Sequence, residues 1–246
     1  MIARTTFSNC LQGRMNAFTP AHAAGPAIFD RPNWPAALAD QGFVVIHDLI
    51  PSELTHRLRH EAIAKHASDR LEHAGVGRVD DYTVDLSVRR DKTRWFDRST
   101  SAQCDYLDLM ETVRQTVNRE LFLGLFSYEA HFAVYEPGGF YRRHVDAFRG
   151  TRNRMLSSVF YLNEDWQESD DGALVIYPVG EDEAAVPLAR ILPASGTLVL
   201  FLSEEIPHEV LPTTRDRYSI AGWFRVNDRM TAPGLQAPPQ SQPGLG

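Results

Sequence analysis

Two residue types that bind metals stand close together near the middle of the chain. His144 and Asp146 are separated by one residue, and side chains two positions apart on a β-strand point to the same face. If this stretch is a strand, an imidazole and a carboxylate therefore reach one point in space. His208, much later in the chain, supplies a second imidazole. Two imidazoles and one carboxylate that leave further positions open are typical of a non-haem iron(II) site.

A His-x-Asp triplet by itself carries little information, so the elements around it must position the three side chains. After Phe126 the hydrophobic period becomes two and the segments become short, which predicts a β-sandwich or barrel. The predicted strands lie near 128–135, 140–146, 155–162, 173–177, 186–191, 197–202, 206–211 and 217–225. We therefore expect a mainly β fold with flanking helices and a double-stranded β-helix (jelly-roll, cupin-like) core of about eight strands.

The part of the chain before this core mixes helices with a strand. Helices are predicted near 34–41, 51–68 and 101–122, and a β-branched run predicts a strand at 43–47. Asn33 is a candidate cap for the first helix, which Gly42 would end. The third helix has apolar residues at three- and four-residue spacing, so these N-terminal helices should pack on one sheet.

The polar stretch between the second and third helices contains the segment 88–96, which predicts a hairpin or mobile loop with an aromatic tip. It is either a solvated excursion or a loop that grips a substrate. Around the whole domain we expect a loose leader at 1–28, a single domain at 29–229 divided at 126/127, and a disordered tail at 230–246.

Composition limits the partners and the compartment. The formal net charge is −7 and no Lys/Arg-rich run occurs, which argues against nucleic acid or an anionic membrane as the main partner. Only Cys10 and Cys104 occur, and neither a membrane span nor a signal peptide is evident. We therefore expect a cytoplasmic protein, with translation starting at Met1 or Met15. The oligomeric state is left open.

The last predicted strand carries an arginine that needs an explanation. Arg217 shares one face with Ala221 and Trp223 on an otherwise apolar strand. A buried guanidinium requires an anionic partner, which a dicarboxylate co-substrate would provide. His131, on the first core strand, is left out of the metal set, because a lone histidine on an apolar strand is more often a satisfied core residue.

Six segments carry a resemblance to a known family. They are RRDKTRWFD, YEPGGFYRRHVD, SSVFYLNEDW, GALVIYP, GTLVLFLSEEIPHEV and DRYSIAGWF, and the basic residue stands nine positions after the distal histidine. Over roughly residues 40–228 the chain resembles the prolyl-hydroxylase-like family of iron(II)- and 2-oxoglutarate-dependent oxygenases. The similarity is strongest to the hypoxia-sensing prolyl hydroxylases and their bacterial relatives.

The resemblance implies a role for each matching residue. Iron(II) would be bound by His144, Asp146 and His208, and 2-oxoglutarate by Arg217, Tyr161 and Tyr135. The implied pocket-lining residues are Tyr141, Val159, Leu174, Val210 and Trp223. The implied substrate-binding residues are Arg90, Asp91, Lys92, Arg94, Trp95 and Arg143. Dioxygen would be the second co-substrate and ascorbate a candidate reductant.

The implied reaction is hydroxylation of a prolyl residue of a protein, coupled to conversion of 2-oxoglutarate into succinate and carbon dioxide. Bacterial relatives make elongation factor Tu one candidate target. The basic residues at 142, 143, 149, 152 and 154 leave an acidic target surface open. The alternatives are a hydroxylase of a free amino acid or small metabolite, a catalytically silent binding barrel, and a zinc-dependent hydrolase or isomerase. The last of these leaves Arg217 unexplained.

Overall fold

The computed structural model describes residues 33–75, 85–146, 153–180 and 184–226. Within these ranges the chain forms three α-helices, a short 3-10 helix at Glu168–Asp170 and eleven strands. The helices are α1 (Trp34–Gln41), α2 (Ser52–Ala67) and α3 (Ser101–Leu121). The predicted leader, tail and alternative start, together with the arginines at 149 and 152, lie outside the described residues. The proposed division of the domain stays a prediction.

The ends of the helices follow from local chemistry. α1 ends at Gly42, whose φ of 76° is in the left-handed region that glycine adopts without strain. Asn33 precedes α1, but its side chain makes no capping hydrogen bond, so that detail of the prediction is wrong. α3 begins after Thr100, whose hydroxyl accepts a hydrogen bond from the backbone N–H of Gln103.

The strands form two antiparallel sheets. They are β1 (Phe43–His47), β2 (Glu72–His73), β3 (Asp91–Trp95), β4 (Ser127–Tyr135), β5 (Tyr141–His144), β6 (Arg154–Tyr161), β7 (Leu174–Ile176), β8 (Ala189–Ile191), β9 (Thr197–Leu202), β10 (His208–Val210) and β11 (Arg217–Arg225). The large sheet has the order β1-β9-β6-β11-β4-β3-β2, and the small sheet has the order β5-β10-β7-β8. The eight strands after residue 126 thus divide equally between the sheets.

The two faces of the large sheet have different neighbours. On the outer face, α3 packs Tyr106 against Phe160 with ring centroids 6.0 Å apart. On the inner face, Phe201 of β9 lies 4.5 Å, centroid to centroid, from His208 of β10 in the small sheet. The two sheets therefore face each other and enclose the side chains that point inward.

The predicted fold class, a double-stranded β-helix core with helices on one sheet, is confirmed. One local prediction was open between two forms and another was wrong. The segment predicted as a hairpin or mobile loop is extended: it contains β3, which pairs with β4 over five residues in the large sheet. The strand predicted to carry both His144 and Asp146 ends at His144, and Asp146 lies in a bend. Among the described residues, no helix combines the length and apolar character that a membrane span requires.

Candidate metal centre and its surroundings

The small sheet brings two histidines together and the following bend adds a carboxylate. His144 at the end of β5 is the Cα partner of His208 at the start of β10. The Nε2 atoms of these residues lie 3.6 Å and 3.8 Å from Oδ1 of Asp146. Ligand atoms of all three residues lie within 4.8 Å of one another, so they could hold a single metal ion. Their role as iron ligands stays a prediction.

The other ring nitrogens orient both imidazoles. Nδ1 of His144 lies 2.7 Å from the carbonyl oxygen of Arg142, and Nδ1 of His208 lies 3.0 Å from that of Ile206. A carbonyl only accepts, so Nδ1 carries the proton in each ring and Nε2 keeps its lone pair. Both lone pairs are then available at the centre, as metal coordination requires.

Burial and neighbouring charges set the protonation states of His208 and Asp146. Burial, helped by His144, lowers the pKa of His208 to about 4, so its imidazole is neutral. Burial alone would raise the pKa of Asp146, but His208, His144 and the hydroxyl of Ser157 together lower it well below the usual range. The centre therefore offers neutral nitrogen and anionic oxygen, a set that fits iron(II).

Aromatic and apolar side chains surround these ligands. Tyr141 stacks on the ring of His144, with centroids 3.5 Å apart and planes 19° apart. On the neighbouring strands, Leu174 and Val210 are buried Cα partners. Val159 lies opposite Ala221 in the register of β6 with β11, between positions 157 and 161. These four residues belong to strands of the two facing sheets. Their role as pocket-lining residues, and that of Trp223, stays a prediction.

Arg217, the first residue of β11, is a buried cation that is 1% exposed. Its Nε donates to the carbonyl of Gly172 over 2.8 Å, and its Nη1 lies 3.4 Å from Oγ of Ser219. Nη2 is buried and makes no satisfactory hydrogen bond to any described residue, and the same holds for Oη of Tyr161. A buried guanidinium with an unused donor is costly unless an anion completes it.

Two tyrosines flank this guanidinium. The rings of Tyr135 and Tyr161 each have their centroid 5.0 Å from the central carbon of Arg217. Burial raises the pKa of Tyr161 to about 12, although Arg217 opposes this, and burial also raises that of Tyr135. Both hydroxyls therefore stay protonated and can donate. Three donors of this kind fit a carboxylate, as 2-oxoglutarate would present.

Comparison with known proteins identifies the family. The model of the 2OG-Fe(II) oxygenase superfamily matches residues 130–225, which include all the residues of the centre. A prolyl-4-hydroxylase from Pseudomonas putida, known from a crystal structure, is 38% identical with a TM-score of 0.70. The match covers 79% of this chain and 98% of that one. The chain belongs to the 2OG-Fe(II) oxygenase superfamily.

Other relatives agree with this placement. Egl nine homolog 1 of Homo sapiens is 28% identical over 193 residues, which is 74% of this chain and 43% of that protein. The chain thus spans less than half the length of that curated relative. A Trichoplax adhaerens prolyl hydroxylase, solved with a hypoxia inducible factor peptide, has a TM-score of 0.67 at 24% identity and shows the same fold. It covers 78% of this chain and 87% of its own.

Membership of the 2OG-Fe(II) oxygenase superfamily confirms the predicted iron(II), 2-oxoglutarate and dioxygen. The residues present fit iron(II) and 2-oxoglutarate. His144, Asp146 and His208 have donor atoms suited to iron(II), and the unused donor of Arg217 is suited to a carboxylate. Ascorbate stays a prediction.

The residues predicted to bind the substrate do not form one surface. Asp91 is 1% exposed, and its carboxylate accepts hydrogen bonds from Nε and Nη2 of Arg89. It is therefore buried in an ion pair and does not face a protein substrate. Lys92 pairs with Glu136 over 2.7 Å. A direct substrate contact is therefore not supported for Asp91 or Lys92.

The other four predicted substrate-binding residues differ in exposure. Arg90 and Arg94 are exposed, and Nε of Arg90 donates to the carbonyl of Leu86 over 2.8 Å, whereas Trp95 and Arg143 are half-buried. The guanidinium of Arg143 lies 4.1 Å from the ring centroid of Tyr177. A substrate role for Arg90, Arg94, Trp95 and Arg143 stays a prediction.

The histidine excluded from the metal set lies in an aromatic cluster. The ring of His131 is 4.9 Å from that of Trp95 and 5.4 Å from that of Trp223, measured between centroids. Burial lowers its pKa to about 4. Nε1 of Trp223 is buried and lacks a hydrogen-bond partner among the described residues. The cluster borders the inner face of the sheet, and His131 is not part of the three-ligand group.

Sequence reasoning missed two residues that support the site. Oγ of Ser157 donates to Oδ2 of Asp146 over 2.6 Å. The guanidinium of Arg89 covers the ring of Tyr141 at 4.3 Å from its centroid. Parity on the strand SSVFY could have identified Ser157, because it shares a face with Tyr161. No local signal links Arg89 to Tyr141.

Gly172 supplies the carbonyl that holds Arg217, and we predict that Gly172→Ala weakens 2-oxoglutarate binding. Its φ is 68°, and an added Cβ would lie 3.0 Å from Cβ of Thr213 and 3.1 Å from Cδ of Arg217. Steady-state kinetics should show a raised KM for 2-oxoglutarate, and the free energy of unfolding should fall by about 1–2 kcal/mol.

Gly124→Ala is the matched control for this substitution. Gly124 has a φ of 65°, and an added Cβ would meet nothing within 4 Å. It should reproduce the backbone strain and leave the KM unchanged. Equal KM values for 2-oxoglutarate in both variants would show that crowding of Arg217 does not affect 2-oxoglutarate binding.

Proposed function

We propose that this chain is an iron(II)- and 2-oxoglutarate-dependent dioxygenase that hydroxylates a prolyl residue of a protein. The observation that carries the chemistry is the unused, buried donor of Arg217 behind the three clustered ligand atoms. In this proposal one end of an anion would bind the metal and its other end would accept from Arg217. The prolyl substrate is supported by the identity with the Pseudomonas putida prolyl-4-hydroxylase.

In this proposal the bound iron would supply one coupled reaction with dioxygen, in which 2-oxoglutarate becomes succinate and carbon dioxide, one oxygen atom of dioxygen enters succinate and the other is inserted into a C–H bond. The chain contributes position and environment. His144, Asp146 and His208 lie together, and three protein ligands would leave further coordination positions for the co-substrates. Their donor atoms are held before any ligand arrives, which lowers the cost of ordering.

The remaining residues orient the co-substrate and exclude water. Arg217 donates in the plane of a carboxylate, and Tyr161 adds a protonated hydroxyl beside it. Tyr141, Leu174 and Val210 form part of the enclosing wall. Low water content strengthens the charge-assisted hydrogen bonds of Arg217. A 2-oxoglutarate molecule is then held by one end while its other end faces the centre.

The proline end of the reaction is expected at the open side of the same space. Trp95 and Trp223 lie with ring centroids 6.0 Å apart at the inner face of the large sheet. We propose that these rings contact the protein substrate. Arg143, which directly precedes the ligand His144 in the sequence, would contact it as well. Elongation factor Tu is the first target to test, because the relative from Pseudomonas putida is bacterial.

The test is incubation of the enzyme with iron(II), ascorbate, 2-oxoglutarate and elongation factor Tu or cell-derived protein. Mass spectrometry should find proline that has gained one oxygen atom, with an equal amount of succinate formed. The His144→Ala protein serves as the inactive control.

Two other outcomes would contradict the proposal. Turnover stimulated by free proline or another metabolite, and not by any protein, would indicate a small-molecule hydroxylase. Absence of 2-oxoglutarate conversion under every condition would indicate a binding barrel without catalysis.

A further inference from the structure

The position of Asp146 is not explained by the strand that precedes it. β5 ends at His144, where the pairing with β10 places the two histidines opposite each other. Val145 is 41% exposed, and Asp146 lies in a bend. Strand hydrogen bonds therefore orient both histidines but not the carboxylate. Other contacts must hold it at the centre.

Those contacts come from two serines that belong to the opposite side of the barrel. The backbone N–H of Asp146 donates to the carbonyl of Ser203 over 3.0 Å. Oγ of Ser157 donates to Oδ2 of Asp146 over 2.6 Å and lies 2.8 Å from Oγ of Ser203. Ser157 is in β6 and 1% exposed, whereas Ser203 follows β9 and is fully buried.

The direction of this hydroxyl pair follows from its chemistry. Ser157 donates to Oδ2 of Asp146, and a hydroxyl has only one hydrogen to give. Ser203 must then donate to Oγ of Ser157. Both hydroxyls thus point the same way, and each polarises the next toward Asp146.

We propose that Ser157, supported by Ser203, is a positioning residue that holds Asp146 as a ligand through one oxygen. Because Oδ2 is engaged by Ser157, only Oδ1 faces Nε2 of His144 and of His208. A carboxylate that binds a metal through one oxygen leaves one more coordination position for other ligands. This inference rests on the proposed metal centre.

The alternative is that Ser157 only satisfies polar groups in a buried region. Its neighbour Ser158 provides the comparison, because it is equally buried on the same strand but faces outward. Oγ of Ser158 lies 2.9 Å from Oη of Tyr128 and has no contact with the ligands. A role limited to stability would make the two alanine substitutions equivalent.

The experiment measures manganese(II) binding without turnover. Full-length wild-type, Ser157→Ala, Ser203→Ala and Ser158→Ala proteins are titrated with manganese(II), and the free ion is followed by electron paramagnetic resonance. Ser157→Ala should weaken binding by about tenfold to a hundredfold. Ser203→Ala should weaken it less, because the first hydroxyl remains, and Ser158→Ala should leave it unchanged. The spectrum of the bound ion should change in Ser157→Ala.

Each further outcome decides the matter. Folded Ser157→Ala protein with wild-type affinity and spectrum would overturn the positioning role while leaving the metal centre intact. If wild-type protein binds no manganese(II), the metal centre and the inference fall together. If Ser157→Ala does not fold, Ser157→Thr and Ser203→Ala decide instead. Threonine keeps the hydroxyl, so wild-type affinity in Ser157→Thr with reduced affinity in Ser203→Ala supports the role, and equal affinity in both opposes it.

Discussion

Replacement of His208 by alanine is expected to remove detectable 2-oxoglutarate turnover and to weaken manganese(II) binding by more than about a hundredfold. His208 is 5% exposed, and burial together with His144 lowers its pKa to about 4, so its Nε2 lone pair is available above that pH. Without it, Asp146 and His144 remain as an incomplete pair. The measurements are succinate formation and manganese(II) titration.

His131→Gln is the control for loss of a buried histidine. His131 is 4% exposed, and its lowered pKa resembles that of His208, but it lies in the tryptophan cluster. Its substitution should leave manganese(II) affinity unchanged. Wild-type manganese(II) affinity in His208→Ala would show that His144, Asp146 and His208 do not form a metal site. A loss of affinity in His131→Gln would show that the exclusion of this residue was wrong.

The parts of the fold that could be predicted are those with strong periodicity. β9 and β11 have the predicted limits, because their long β-branched and aromatic runs are bounded by turn residues. The strands of the small sheet are shorter than predicted. β7, β8 and β10 each have three residues, and the pairings of β7 with β10 and with β8 each span three residues.

The sequence left segment 88–96 open between a hairpin and a mobile loop, because the local composition of β3 argues against a strand. Its sequence DKTRW is charged, and charged segments more often form solvated loops. Its stability comes from pairing with β4, whose partners are distant in sequence. The buried charge of Asp91 is acceptable because Arg89 pairs with it. This ion pair joins residues two positions apart, so the long-range pairing with β4 is the part that local sequence does not reveal.

The site was predictable to the extent that side-chain parity defines it. Alternation on β11 placed Arg217 and Trp223 on one face, and the register with β4 places Tyr135 opposite Arg217. The same rule suggested that Asp146 shares a strand with His144, which the structure contradicts. Alternation describes a ladder, whereas Asp146 is held by contacts with Ser157 and Ser203 that cross between sheets.

Conservative replacement of Arg217 by lysine is expected to raise the KM for 2-oxoglutarate by about tenfold to a hundredfold. A lysine cannot reproduce the fork of donors, and loss of one charge-assisted hydrogen bond costs about 1.5–3 kcal/mol. Because each 1.4 kcal/mol corresponds to about tenfold in affinity, this loss accounts for the expected range. Because lysine has no Nε–H group, the substitution would also leave the carbonyl of Gly172 without its hydrogen-bond donor.

Two measurements separate this effect from a loss of the centre. Manganese(II) affinity without 2-oxoglutarate should stay at the wild-type value, because Arg217 does not belong to the ligand cluster. Arg215→Lys, two residues earlier, should leave the KM unchanged, since that guanidinium lies over the ring of Trp166 and pairs with Asp170. Wild-type KM in Arg217→Lys would mean that the unused donor of Arg217 does not bind the carboxylate. The dicarboxylate would then have to be held by other groups, with Tyr161→Phe and Tyr135→Phe the next substitutions to measure.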